Sequence, residues 1–130
     1  MAETSVQIRC SERRTQPRFP GERIGVTLRV RGRWTKQSAE VIDFNRFGMS
    51  VLVERPLDPS KALCLSLQLG PIRLPDLRAV VHNCRMSAGR VDGKSRYRCG
   101  IQFRTDAKDQ FDRNEVEHLL ETMEKLTQNL

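Results

Sequence analysis

The chain has 130 residues, 38% hydrophobic and 30% charged, and 23 Lys and Arg against 16 Asp and Glu give it a net charge of +7. That is the size of one domain with one core, and the balance excludes a disordered or fibrous chain. No apolar run approaches the ~20 residues of a membrane-spanning helix, and "MAETSVQIRC" lacks the apolar stretch of a signal peptide, so a cytoplasmic protein without a membrane span is expected.

The first 22 residues read as a flexible tail. Arg13, Arg14 and Arg18 lie on a segment that Pro17 and Pro20 keep out of helix and sheet, and Arg9 stands four residues before Arg13. Guanidinium groups on such a segment can swing round a ligand, pairing donors with phosphate oxygens or with the O6 and N7 edge of guanine.

From residue 23 to 105 the dominant period is two. "IGVTLRV" places Ile24, Val26, Leu28 and Val30 on one face, and Gly32 turns the chain into "WTKQSAEVIDF". "DFNRFG" follows at the end of that second strand. Asp43 can accept from guanine N1 and N2, and Asn45, two residues on, points to the same side of an extended chain as donor or acceptor. Gly48 is expected to supply the unusual backbone angles of the turn.

"MSVLVE" is a short third strand, and in "LCLSLQLG" Leu63, Leu65, Leu67 and Leu69 alternate with Cys64, Ser66 and Gln68. "PIRLPDLRAVVHNCRM" reads as a strand interrupted by Pro75. Within it, Ala79 and Val81 compete with Val80 and Cys84 for the inside. "DGKSRYRCGIQF" is its hairpin partner, with Asp92 and Gly93 suited to a type I′ turn and Tyr97, Cys99, Ile101 and Phe103 on one face. Six antiparallel strands with short turns point to a closed or nearly closed barrel.

The period changes at residue 106. Phe111, Val116, Leu119, Leu120, Met123 and Leu126 recur at helical spacing through residues 106–130, and Thr105 is a candidate N-cap. This amphipathic helix is expected to cover the barrel, with a homodimer through it as the alternative. The segment holds seven acids against three bases, which leaves 20 bases against nine acids in residues 1–105. A basic body favours an anionic partner: a nucleic acid, a small phosphorylated ligand or a membrane surface.

No catalytic set emerges, and an enzyme is not expected. His82 and His118, the two histidines, have no serine or cysteine at an instructive spacing, and the glycines form neither a P-loop nor a dinucleotide turn. Cys10, Cys64, Cys84 and Cys99 include no CxxC pair, which argues against zinc and for reduced, mostly buried thiols. Cys84 and Cys99, on the two arms of a hairpin, are placed to come close together.

"RRTQPR", one strand-turn-strand, "DFNRFG", a barrel ending in "YRCGIQF" and a helix together resemble a PilZ domain, a bacterial receptor module for cyclic di-GMP. The resemblance spans about residues 9–105. Arg14 and Arg18 meet the family's RxxxR motif, with the frequent extra arginine, Arg13, just before. Asp43 and Gly48 meet [DN]xSxxG, with Asn45 in the serine position and Phe47 where a small residue or glycine is usual.

The resemblance implies an all-β fold with a C-terminal helix: a six-stranded antiparallel PilZ-like β-barrel flanked by an α-helix. Arg14 and Arg18 would contact guanine and phosphate as the tail folds over the ligand. Asp43 and Asn45 would hold a guanine on the barrel's outer surface, with Gly48 shaping the bend. Arg13 would serve a stacked ligand pair, and His82 would stack on a base. Cyclic di-GMP, as one molecule or a stacked pair, would be the ligand, and no other cofactor is implied. The output would pass to an effector protein of motility, exopolysaccharide or virulence machinery. The alternatives are a degenerate PilZ-like adaptor that binds only protein and, less expected, a nucleic-acid-binding small barrel.

Overall fold

The period-two segments pair into a single closed barrel. The computed structural model describes residues 24–91 and 94–128. Its strands are β1 (Gly25–Val30), β2 (Lys36–Asn45), β3 (Gly48–Val53), β4 (Ala62–Leu69), β5 (Ile72–Val91) and β6 (Lys94–Phe103), followed by helix α1 (Arg113–Gln128). Every neighbouring pair is antiparallel, and the order around the barrel is β1-β2-β3-β6-β5-β4. Each described strand thus has a neighbouring strand on both sides. Asp92 and Gly93, expected as a type I′ turn, lie outside the described residues, as does the tail with its arginines.

Alternation fills the interior. Leu63, Leu65, Leu67 and Leu69 of β4 all point inward with Leu28, Val51, Val53 and Leu77, each buried side chain contributing about 1.5–3 kcal/mol. Ser66 and Gln68 are exposed, as the pattern requires. Cys64 is buried although its strand neighbours alternate around it, because the Arg78 guanidinium covers it, with Nη1 3.1 Å from the sulfur.

Four register shifts break the alternation, one between Met86 and Arg90 and three where the sequence is hardest to read. Between β4 and β5, Leu65 faces Leu77 while Leu67 faces Leu74, so Pro75 and Asp76 fall in the irregular stretch. A proline has no N–H to give the ladder, and β5 passes through it unbroken. Between β5 and β6 the register shifts between Val81 and Asn83. Ala79 and Val81 therefore face inward before the bulged His82, and the strand then presents Cys84 toward Cys99. The two competing faces of "AVVHNC" are each right on one side of the bulge. The third shift, between Val41 and Asp43, turns Phe44 toward the core, with its ring 5.7 Å from that of Phe103.

The helix begins later than residue 106. Residues 104–112 form a strap of turns along β5, because Gln110 finds a better bond there than a helix would offer. Its Oε1 accepts from the Arg78 amide at 2.7 Å and its Nε2 donates to the Asp76 carbonyl at 2.9 Å. Thr105 is therefore no N-cap; its hydroxyl donates to Glu117 at 2.7 Å. Val116, Leu120 and Met123 are the buried stripe of α1, whereas Phe111 in the strap is 80% exposed.

Candidate functional site

The turn joining β2 to β3 is built by its own side chains. Asn45 Oδ1 accepts from the amides of Phe47 at 2.7 Å and Gly48 at 3.1 Å, an Asx turn that closes the hairpin. That oxygen is thereby spent, and only the Asn45 amide nitrogen is left to offer a ligand. Gly48 is needed for a different reason than the one the sequence suggests. Its φ is not positive, unlike those of Gly32 and Gly70, but a Cβ there would stand 2.3 Å from the Ile101 carbonyl oxygen. Phe47 likewise avoids a positive φ, so its ring causes no backbone strain; it is 72% exposed.

Arg46 in the same turn was not singled out by the sequence, and it fastens the helix. Its amide and Nε donate to the two oxygens of Glu124 at 2.9 and 3.0 Å, and its Nη1 donates to Glu121 at 2.6 Å. The bond to Glu124 holds the guanidinium pKa above its ordinary value. "DFNRFG" is thus a joint between barrel and helix as well as a candidate binding motif.

Asp43 lies on the outer face, where its Oδ1 accepts from the Ser50 amide at 3.2 Å. Among the described residues, its second oxygen has no protein partner. Register carries this row across the sheet: Asp43 faces Ser50, Ser50 faces Gly100, and Gly100 faces Asn83. Gly100 leaves the row low in the middle, and Asn83 Oδ1 lies over it, accepting from its amide at 3.2 Å. His82, the exposed bulged residue, precedes Asn83.

The neighbouring row runs Glu40, Leu52, Arg98 and Arg85, two residues or roughly 7 Å along β3, β6 and β5 and three along the bulged β2. Glu40 is engaged by Arg96 at 3.3 Å. Arg98 and Arg85 are exposed, face each other across β6 and β5, and form no ion pair with any described residue. An open cleft of about 680 Å³ crosses this face, with Val41, Ile42, Leu52, Ser87, Arg98 and Ile24 in its lining. Ile24, the first described residue, is part of that lining.

The structure thus brings Asp43, Asn45, Gly48 and His82 onto one side of the barrel, and adds Asn83, Arg85 and Arg98. Arg9, Arg13, Arg14 and Arg18 lie outside the described residues. Register was the missing signal for Arg85 and Arg98: each alternates with a cysteine of the inner face, but only the pairing of β5 with β6 makes them neighbours. Among the described residues, no three His, Cys, Asp or Glu side chains gather as a metal site, and no helix is long and apolar enough to cross a membrane.

No family model, curated protein or solved structure matches this chain.

Proposed function

We propose that the chain is a receptor for a guanine dinucleotide, cyclic di-GMP, and that it works by binding rather than by catalysis. The observation that carries this reading is the Asp43 carboxylate. It is held on the outer face by one oxygen, has the other open among the described residues, and stands one row from two unspent arginines. A carboxylate fixed in this way accepts from guanine N1 and N2 together, which adenine and the pyrimidines cannot match. Arg98 and Arg85 supply paired donors for a phosphate.

The arginines of the tail would complete the site from above. Arg14 and Arg18, with Arg13 and Arg9 behind them, would close over the phosphates and guanines of one ligand or of a stacked pair, ordering a segment whose new surface an effector protein reads. The basic body, with 20 Lys and Arg against nine acids, favours such an anionic ligand. The resemblance to PilZ domains supports the same reading and suggests a bacterial cytoplasmic signalling role.

One observation favours a second reading, an adaptor that binds only protein. Asn45 has spent its oxygen on its own turn, beside an exposed Phe47 that an apolar partner would cover. Calorimetric titration with cyclic di-GMP separates the two. The receptor reading predicts micromolar or tighter binding that is lost in Arg14→Ala and in Asp43→Ala. Absence of heat at high ligand concentration would leave the adaptor.

A further inference from the structure

Beneath the outward pair Arg85 and Arg98 lies an inward pair. Cys84 and Cys99 are direct register partners on β5 and β6, and their sulfurs are 2.7 Å apart. Both are free thiols. They differ in reach: Cys99 is fully buried, while Cys84 is half-buried and its sulfur accepts from the Leu57 amide at 3.4 Å. Burial, then the contact with Cys84, pushes the Cys99 thiol up to about 12. Cys64, the other described cysteine, is covered by Arg78 and has no thiol partner.

We infer that Cys84 and Cys99 form an oxidisable dithiol, a modification site at which a small peroxide converts the pair to a cross-strand disulfide. Cys84 is the attacking sulfur because a small oxidant can reach it and a thiolate there keeps the Leu57 amide as donor. The thiolate breaks the O–O bond of hydrogen peroxide, becoming a sulfenic acid and releasing hydroxide, which takes up the thiol's proton to form water. The Cys99 sulfur then displaces the hydroxyl from Cys84, giving up its own proton, and a second water leaves. Two electrons pass from the sulfurs to the peroxide, and one S–S bond replaces two S–H bonds.

No strand has to move far for this. The two Cα atoms are already opposed as in an antiparallel pair, whose separation falls inside the range a disulfide spans. The bond closes a loop of 15 residues, the β5–β6 hairpin, and staples it where Arg85 and Arg98 emerge. The site stands whether or not the outer face takes a nucleotide.

The test treats the reduced, natively folded full chain with hydrogen peroxide. The expected product is a monomer about 2 Da lighter, in which tryptic peptides 79–85 and 99–104 are joined and which dithiothreitol restores. Its melting temperature should rise by roughly 5–10 °C, the effect of restricting the unfolded chain across such a loop. Cys99→Ser should stop at the sulfenic acid on Cys84, and Cys84→Ser should resist mild oxidation; a folded example of either variant suffices. A product gaining oxygen without losing hydrogen, or a disulfide that joins Cys64 or Cys10 instead, would overturn the assignment.

Discussion

The two flanks of β5 use arginine in opposite ways. On one flank, Arg78 donates to Asp76 at 2.6 Å and to Asp109 at 3.0 Å, and Asp109 also takes Arg31 at 2.6 Å. Arg78 and Arg31 are answered there by Asp76 on the strand and by Asp109 in the strap of residues 104–112. Seven residues further on, Arg85 faces Arg98 and neither forms an ion pair with any described residue. Two like charges set side by side and left unanswered disfavour the folded state slightly, which makes sense where an anion is to be received. An arginine's type says little, and whether its charge is already spent says much.

The sharpest way to break this comparison is at the joint between the flanks and the helix. Gly48→Ala should cost about 3 kcal/mol or prevent folding, because its Cβ meets a backbone carbonyl that cannot step aside. Denaturant unfolding checks it. A variant as stable as the parent would mean that the β3–β6 pairing is looser than described.

The strapped flank is tested by Gln110→Ala, which leaves the Arg78 amide and the Asp76 carbonyl without their side-chain partner. A loss of about 2 kcal/mol is expected from the unsatisfied groups, read from the same unfolding curves, with nucleotide affinity unchanged. The open flank should behave in reverse. Arg98→Ala should weaken cyclic di-GMP binding about tenfold, the scale of one charge-assisted contact, while stability holds or rises slightly.

Acid gives a smaller and graded contrast. Partial desolvation pushes the Asp109 pKa up, but the Arg78 hydrogen bond and the Arg31 charge outweigh it, so the folded value sits below the ordinary 3.8. Glu117 is likewise lowered, first by Thr105 and then by Arg113, from 4.5. For carboxylates held low, the stabilising contribution is complete above the ordinary values and is lost as pH falls through the lowered ones. Melting temperature should therefore be level down to about pH 4.5 and fall below about pH 3.8. Asp109→Asn should flatten that fall. If instead it left the acid limb unchanged, the strap would owe little to charge.

Much of this architecture is legible in the residues. The leucine alternation of β4 and the hairpin positions of Cys84 and Cys99 survive intact, because period two and a short turn leave little choice. Asp43 and Asn45 share a face for the same reason. The helix start was hidden because Phe111 fits the apolar period, whereas the residue that decides the matter is polar: Gln110, buried with three side-chain bonds to backbone groups. Arg46 was hidden because its partners, Glu121 and Glu124, lie 75 and 78 residues away. Gly48 was recognised as necessary for the wrong reason, since a close approach of β6 leaves no trace in local sequence.

The central claim is that Asp43 and the unspent arginines form one anion-receiving face. Amide shift mapping of the ¹⁵N-labelled protein during addition of cyclic di-GMP tests it most directly. Saturable shifts at Asp43, Ser50, Asn83, Arg85, Arg98 and Gly100, with the strap and Gln110 unmoved, are the predicted result. No shifts, or shifts confined to α1 or to the turn around Trp34, would contradict it.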